Sequence, residues 1–333
     1  MRAFDRVLDL AWTRTSYSGL TAGLHEQPSA GVTSEAEAPG TVDEPEVPPS
    51  TTTPAAAEAG LPSPMADLPK GAAFGTLVHA LLENTDFTAP DLRARLAVEA
   101  ERAGVFHATG VDAGAFADAL VPSLHTPLGP LAGGLRLADV PASDRLDELD
   151  FELPLAGGER PVGAAQVSGI AALLRRHLPA DDPLAAYADD LDIPELADRR
   201  LRGFLNGSID LVLRVRADGT PRYVVVDYKT NWLGGGTVNS ADYSPDLMAR
   251  AMREAHYPLQ ALLYSVALHR YLRWRQPGYD PGTHLGGVLY LFLRGMCGPD
   301  SPVVDAMPSG VFAWSPPAAL VTDLSDLLAG GGR

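Results

Sequence analysis

The sequence predicts an α/β fold, and three observations carry that reading. Apolar runs of strand length alternate with segments of helical periodicity. An Asp-Gly pair at 218–219 separates two of the apolar runs, which marks a hairpin. The stretch "VVVDYKTNWLG", 224–234, opens with three valines, as a strand buried on both faces does, and then places Asp227 and Lys229 at its end.

In chain order, residues 1–20, ending "WTRTSYSGL", read as a short ordered segment. Residues 21–66 hold seven acids and no Lys or Arg, and are rich in Pro, Ala, Ser and Thr. Such a segment has too little apolar surface to fold, so a disordered linker is expected. Residues 67–333 read as one domain. "FGTLVHALLENT", 74–85, sets Leu77, Leu81 and Leu82 on one side of a helix. Helical spacing continues through 90–103 and 113–122. "ELDFELPL", 148–155, alternates as a strand does, and 163–178 is helical. The acid-rich 181–192 reads as a surface loop. Strands follow at 208–216 and 222–228, joined by "ADGTP". A long helical stretch covers roughly 244–275, with a break near Pro258. "GGVLYLFLRG", 286–295, is a further strand, and the Pro- and Gly-rich tail from 297 reads mostly as coil.

Composition narrows the function. The chain has 333 residues, 46% of them hydrophobic, enough for a sizeable core. No apolar run approaches the roughly 20 residues of a membrane span, and "MRAFDRVLDLAW" carries acids where a signal peptide needs an apolar stretch. A cytoplasmic protein with no membrane partner is expected. The single cysteine, Cys297, excludes an internal disulfide, a cysteine-only zinc site or a four-cysteine cluster. A net charge of −16 argues against a broad electrostatic grip on nucleic acid, so any such contact must be a local patch. Arg270, Arg273 and Arg275 form one candidate patch; they serve equally as a solvated helix face. Of 26 basic residues only Lys70 and Lys229 are lysines. A chain that otherwise uses arginine keeps a compact point charge beside Asp227.

The hairpin brings carboxylates together. A symmetric loop around 218–219 pairs residues whose numbers sum to 437, which sets Asp210 opposite Asp227. Like charges facing across a sheet are destabilising, more so in apolar surroundings. A hard divalent cation with oxygen ligands would resolve the conflict. Lys229, two residues on, points to the same face as Asp227. An Asp on one strand and Asp-x-Lys on the next also occur as plain surface ion pairs, so the pattern needs its context.

That context is a set of blocks in a fixed order: "WTRTSYSGL", "LPKGAAFGTLVHALLENTDF", "ELDFELPL", "RGFLNGSIDLVLR", "YVVVDYKTNWLG", "YPLQALLYSVALHRYLRWR" and "HLGGVLYLFLRG". Together they resemble the nuclease domain of the RecB family, within the PD-(D/E)xK superfamily. The likeness runs from about residue 12 to 295, with 104–146 and the linker poorly matched. It implies a restriction-endonuclease-like core with a central mixed sheet flanked by helices. It implies a Mg²⁺-dependent deoxyribonuclease, with one or two ions and Ca²⁺ able to bind in place of Mg²⁺. His79, Asp210, Asp227 and the backbone carbonyl of Tyr228 match the family's metal ligands. Lys229 matches the catalytic lysine, and Glu148 an acidic active-site residue, with Asp150 competing for that role. Gln260 and Tyr264 match a QxxxY element that would hold the DNA strand. The expected substrate is single-stranded DNA fed by a helicase and cut to 5′-phosphates. Expected partners are RecC- and RecD-type subunits and a RecA-type recombinase.

Departures from the family pattern matter too. Neither lysine follows a glycine, so this chain holds no GxxxxGK[ST] phosphate loop and no ATP site. The chain reads as a fragment of a helicase–nuclease or as a freestanding repair nuclease. A module with an idle site, used for docking RecC-type or recombinase partners, is the non-enzymatic alternative.

Overall fold

The computed structural model describes residues 13–21, 60–155, 165–217 and 219–330. A six-stranded mixed sheet lies at the centre. Its strands are β1 (Thr13–Thr15), β2 (Arg145–Pro154), β3 (Gly203–Ala217), β4 (Thr220–Lys229), β5 (Leu285–Phe292) and β6 (Val311–Trp314). They run in the order β1-β3-β4-β5-β6, and β2 also pairs with β3. The β2–β3, β3–β4 and β5–β6 pairs are antiparallel; β1–β3 and β4–β5 are parallel.

Seven helices of ten or more residues cover the sheet among the described residues. They are α1 (Ala72–Glu83), α2 (Leu92–Arg102), α3 (Ala113–His125), α4 (Val167–His177), α5 (Pro245–Glu254), α6 (Tyr257–Arg275) and α7 (Ala318–Leu328). Alternation along the strands divides the core in two. Val224, Val226 and Tyr228 join Leu211, Leu213 and Leu289 against α1–α3. Val225 joins Ile209, Val288, Tyr290 and Phe292 against α4–α7. The three valines are therefore buried on both sides, and the layer order is helix, sheet, helix.

The hairpin register matches the sequence expectation. Pairs run from Leu211↔Val226 to Ala217↔Thr220, each summing to 437. Gly219 takes φ 81, the left-handed conformation that a two-residue turn demands; Asp218 lies outside the described residues.

Two readings are corrected. The tail beyond 297 is not mostly coil: β6 closes an edge of the sheet, and α7 buries Leu320, Val321, Leu324 and Leu328. The Pro and Gly at its flanks punctuate these elements without preventing them. The stretch 181–192 is not simply a surface loop. It holds a short helix, Tyr187–Leu191, and buries Leu184, Tyr187 and Leu191 while its acids face outward. The long helical stretch does break where expected: two helices, Pro245–Glu254 and Tyr257–Arg275, part at His256, whose φ is 56, and Pro258 lies in the first turn of α6.

The expected linker lies mostly outside the described residues. Its last part, 60–66, is described and packed: Met65 is fully buried and Pro62 bridges Asn239. Residues 13–15 of the first segment add a strand to the main sheet.

Candidate active site

The site forms where β3 and β4 part. At its start β3 pairs with β1 and β2 together, and near its end with β4 and β2 together. So β1 and β4 share one edge of β3, and between Leu205 and Leu211 that edge carries neither strand. β4 meanwhile continues along β5, with Asp227, Tyr228 and Lys229 opposite Tyr290, Leu291 and Phe292. Asp210 and Asp227, next in register, do not continue the ladder. Asp210 Oδ2 instead accepts the Tyr228 backbone N–H at 2.9 Å. A side chain has replaced a carbonyl, and the strands splay around the two carboxylates.

His79 enters this gap from the third turn of α1. Its Nε2 donates to the Tyr228 carbonyl at 2.9 Å, and its Nδ1 stands 3.4 Å from Asp210 Oδ1. One imidazole thus touches two of the groups expected to bind metal.

Asp227 and Lys229 form the other half. Each is 1% exposed, and Nζ lies 2.7 Å from Asp227 Oδ1. This is a contact of charges: buried Oδ1 accepts no hydrogen bond of good geometry. The ammonium also sits 4.2 Å from the Tyr257 ring centre and 5.6 Å from that of Tyr290, a favourable cation–π setting.

The electrostatics follow from crowding. Burial, aided by the Asp210 charge and opposed by Lys229, pushes the Asp227 carboxyl up to about 7. Burial acts on Asp210 the same way, but His79, Lys229 and the Tyr228 N–H outweigh it and hold that carboxyl below its ordinary value. The two carboxylates therefore differ: burial dominates at Asp227, and the surrounding cations and donors dominate at Asp210.

Glu148 faces Asp210 from β2. The pairs on either side, Asp147↔Leu211 and Leu149↔Ile209, stay in register, but Glu148 itself takes φ 46. A left-handed glutamate inside a strand is a local departure of the kind found at functional sites. Ser208 Oγ donates to its Oε2 at 2.6 Å. Burial raises its carboxyl; the Ser208 bond opposes this and Asp210 adds to it. Asp150 is exposed and lies opposite Ser208. Of the two candidates, Glu148 is the one beside Asp210.

Gln260 and Tyr264 share one side of α6, as their spacing requires. Gln260 Nε2 donates to Tyr264 Oη at 3.1 Å, and Tyr290 Oη donates to Gln260 Oε1 at 3.0 Å. Both residues are buried, and the relay runs toward the ring stack of Tyr257 and Tyr290 beneath Lys229. Of the basic patch, Arg270 is bound to Ser325 and the Pro154 carbonyl, while Arg273 and Arg275 are exposed beside Trp274. Cys297 is half-buried, and burial pushes its thiol up to about 11, away from the reactive thiolate.

Tyr257, Tyr290 and Arg294 were not singled out from the sequence. Tyr290 meets Lys229 through the β4–β5 pairing, which joins segments some sixty residues apart, and Tyr257 meets it from the first turn of α6. Arg294 carried a legible signal, a lone cation closing the otherwise apolar "VLYLFLR".

The residue types suit a hard cation: two carboxylates, one of them with a buried Oδ1 lacking a hydrogen bond, beside a backbone carbonyl and an imidazole. Among the described residues, however, no three His, Cys, Asp or Glu side chains converge tightly enough to hold a metal as they stand. Here His79 and Lys229 lie against the acceptors that an ion would contact.

Comparison with known proteins settles the family. The model for the PD-(D/E)XK nuclease superfamily matches residues 55–329. The chain belongs to that superfamily. It is 54% identical over 98% of its length to the RecBCD enzyme subunit RecB of Mycolicibacterium smegmatis. It is 50% identical over 99% to that of Mycobacterium tuberculosis, and 33% identical over 96% to that of Escherichia coli. It spans 30% of the first two relatives and 23% of the third. The six-stranded mixed sheet between helical layers is the α/β architecture the resemblance implies. Among the described residues no helix is long and apolar enough to cross a membrane.

Proposed function

We propose that this chain is the metal-dependent deoxyribonuclease domain of a RecBCD-type helicase–nuclease. It would hydrolyse phosphodiester bonds in single strands that a helicase delivers, in the cytoplasm and alongside RecC- and RecD-type subunits. The observation that supports this best is the split of β3 from β4. It leaves Asp210, Asp227 and the Tyr228 carbonyl on one gap, with His79 and Lys229 as their neighbours.

His79, Asp210, Asp227 and the Tyr228 carbonyl would hold the ion, Mg²⁺ in this reading. Bound there, it would polarise the scissile phosphate and lower the pKa of a water. The chain's own residues do the rest. Asp210, already ionised, anchors the site's negative charge and fixes the Tyr228 peptide. Asp227, paired with Lys229 at 2.7 Å, would exchange that contact for the ion to serve as a ligand. Lys229 places a compact charge near the attacking water and the developing charge on phosphate. Its seat on the Tyr257 ring keeps it close once Asp227 turns to an ion. Glu148, braced by Ser208, adds negative charge beside Asp210 and helps orient the attacking water. Gln260 and Tyr264 are buried, so in this reading they would act on the strand through Tyr290 and the Tyr257 ring that seats Lys229.

The test is cleavage of linear single-stranded DNA by the chain, with Mg²⁺ and with EDTA. Mg²⁺-dependent cutting that EDTA stops is expected. Intact Ca²⁺ binding without cutting would overturn the catalytic reading in favour of a docking module.

A further inference from the structure

We propose that Arg294 is a positioning residue of this site: it ties the helix carrying His79 to the strand end carrying Asp227 and Lys229. The inference rests on the reading of His79 as a metal ligand. Arg294 is the largest fully buried side chain among the described residues. It lies two residues beyond Phe292, which pairs with Lys229 across β4–β5. Its Nε donates to the carbonyl of Thr230, the residue after Lys229, at 2.8 Å. Its Nη1 donates to the Met65 carbonyl at 2.6 Å and the Leu68 carbonyl at 3.4 Å, and its Nη2 to that of Pro69. Gly71, at φ 98, then turns the chain directly into α1.

The guanidinium is held on its faces as well. The Phe74 ring of α1 lies 5.0 Å away and the Trp232 ring 5.2 Å. Lys70 Nζ also lies 3.5 Å from the Trp232 ring centre. One side chain thus fastens the approach to α1, the first turn of α1 and the exit of β4. His79 stands seven residues into that helix from Ala72, about 10 Å along its axis. A rigid helix carries any shift at its start to the imidazole. The planar fork suits several carbonyls at once; an ammonium on the same stem does not.

A structural role alone would cost stability everywhere. A positioning role must act through His79. The experiment is a double-mutant cycle of Arg294→Lys with His79→Ala on the full chain. Calorimetric Ca²⁺ titration supplies one readout, and amide exchange over 65–83 without metal the other. Circular dichroism checks the fold.

Arg294→Lys is expected to weaken Ca²⁺ binding about tenfold, the usual scale for a group that orients a ligand. It should also speed exchange in α1. In the His79→Ala background it should cost no further affinity. Unchanged affinity, or the same loss with and without His79, overturns the proposal. If His79→Ala alone binds Ca²⁺ normally, the reading of His79 fails, and slow exchange in α1 of Arg294→Lys then shows separately that Arg294 does not hold the helix. Should Arg294→Lys not fold, Trp232→Leu keeps the hydrogen bonds but removes one stacking ring. A smaller loss in the same direction, absent without His79, supports the proposal; no loss overturns it.

Discussion

Between Leu211↔Val226 and Ala217↔Thr220, β3 and β4 form an unbroken ladder, whereas one residue further, at Asp210 and Asp227, a carboxylate takes the next N–H. The ladder end is built from Leu and Val that alternate between two cores. Every choice there agrees with its neighbours, which is how a sequence specifies one structure. The split end breaks local rules: acids face each other, a lysine is buried, and Glu148 takes φ 46. Such breaks cost stability and persist where the arrangement does chemistry. The ladder holds the hairpin in one register, and that register decides which carboxylates meet.

The strongest way to test this division is at Asp227. Asp227→Asn should leave no measurable cleavage, because a ligand and a charge are lost together. It should also lower apo stability, since Lys229 is buried with Asp227 as its 2.7 Å partner. Breaking a buried ion pair by removing one partner costs about 3–5 kcal/mol. Lys229→Met on top of Asp227→Asn should recover most of that loss but none of the activity. Chemical denaturation beside a cleavage assay measures both. An active Asp227→Asn would break the comparison at its root.

Next is Lys229→Arg. The ammonium fits between Asp227 and the Tyr257 ring, 1% exposed, and a guanidinium is wider. Cleavage should fall at least about 10²-fold, the scale for losing a preorganised transition-state contact. Ca²⁺ binding by calorimetry should stay near the native value, because His79, Asp210 and Asp227 remain. A collapse of metal affinity together with rate would make the lysine structural.

Glu148 and Asp150 sharpen the boundary. Glu148→Gln should slow cleavage about 10- to 100-fold, as losing a group that supports metal ligands does. Asp150→Asn, exposed and two positions along, should leave the rate unchanged in the same assay. The reverse order would move the site's edge from Asp210 toward Ser208.

The ladder end was legible in the sequence and the split end only in part. Asp-Gly at 218–219 and two apolar runs suffice to pair 210 with 227, because hairpin register is local. The Asp227–Lys229 face follows from strand alternation alone. His79 gave no such local signal: a histidine on a helix some 130 residues upstream of Asp210 meets it only through the tertiary fold, and its place came from the resemblance. The rings around Lys229 depend on a parallel pairing, for Tyr290, and on the docking of the crossover helix, for Tyr257, which no short window contains. β6 and α7 were hidden differently. The i, i+4 spacing of Leu320, Leu324 and Leu328 is present, but Pro and Gly on either side mask a strand of four residues and the helix after it.

The smallest expected effect lies at the turn. Gly219 has φ 81, and a Cβ built there meets no atom within 4 Å. The cost of Gly219→Ala is therefore conformational and not steric crowding. The left-handed region costs an L-residue about 1–2 kcal/mol, and alanine returns about 0.4–1 kcal/mol by stiffening the unfolded chain. The net loss should be about 1 kcal/mol, within reach of a denaturation midpoint. Gly219→Asn should lose less, because asparagine tolerates the left-handed region better than alanine. Neither variant should alter cleavage per folded molecule, because seven ladder pairs lie between the turn and the carboxylates. A rate that fell with Gly219→Ala would mean that the turn and not the ladder sets the register at Asp210 and Asp227.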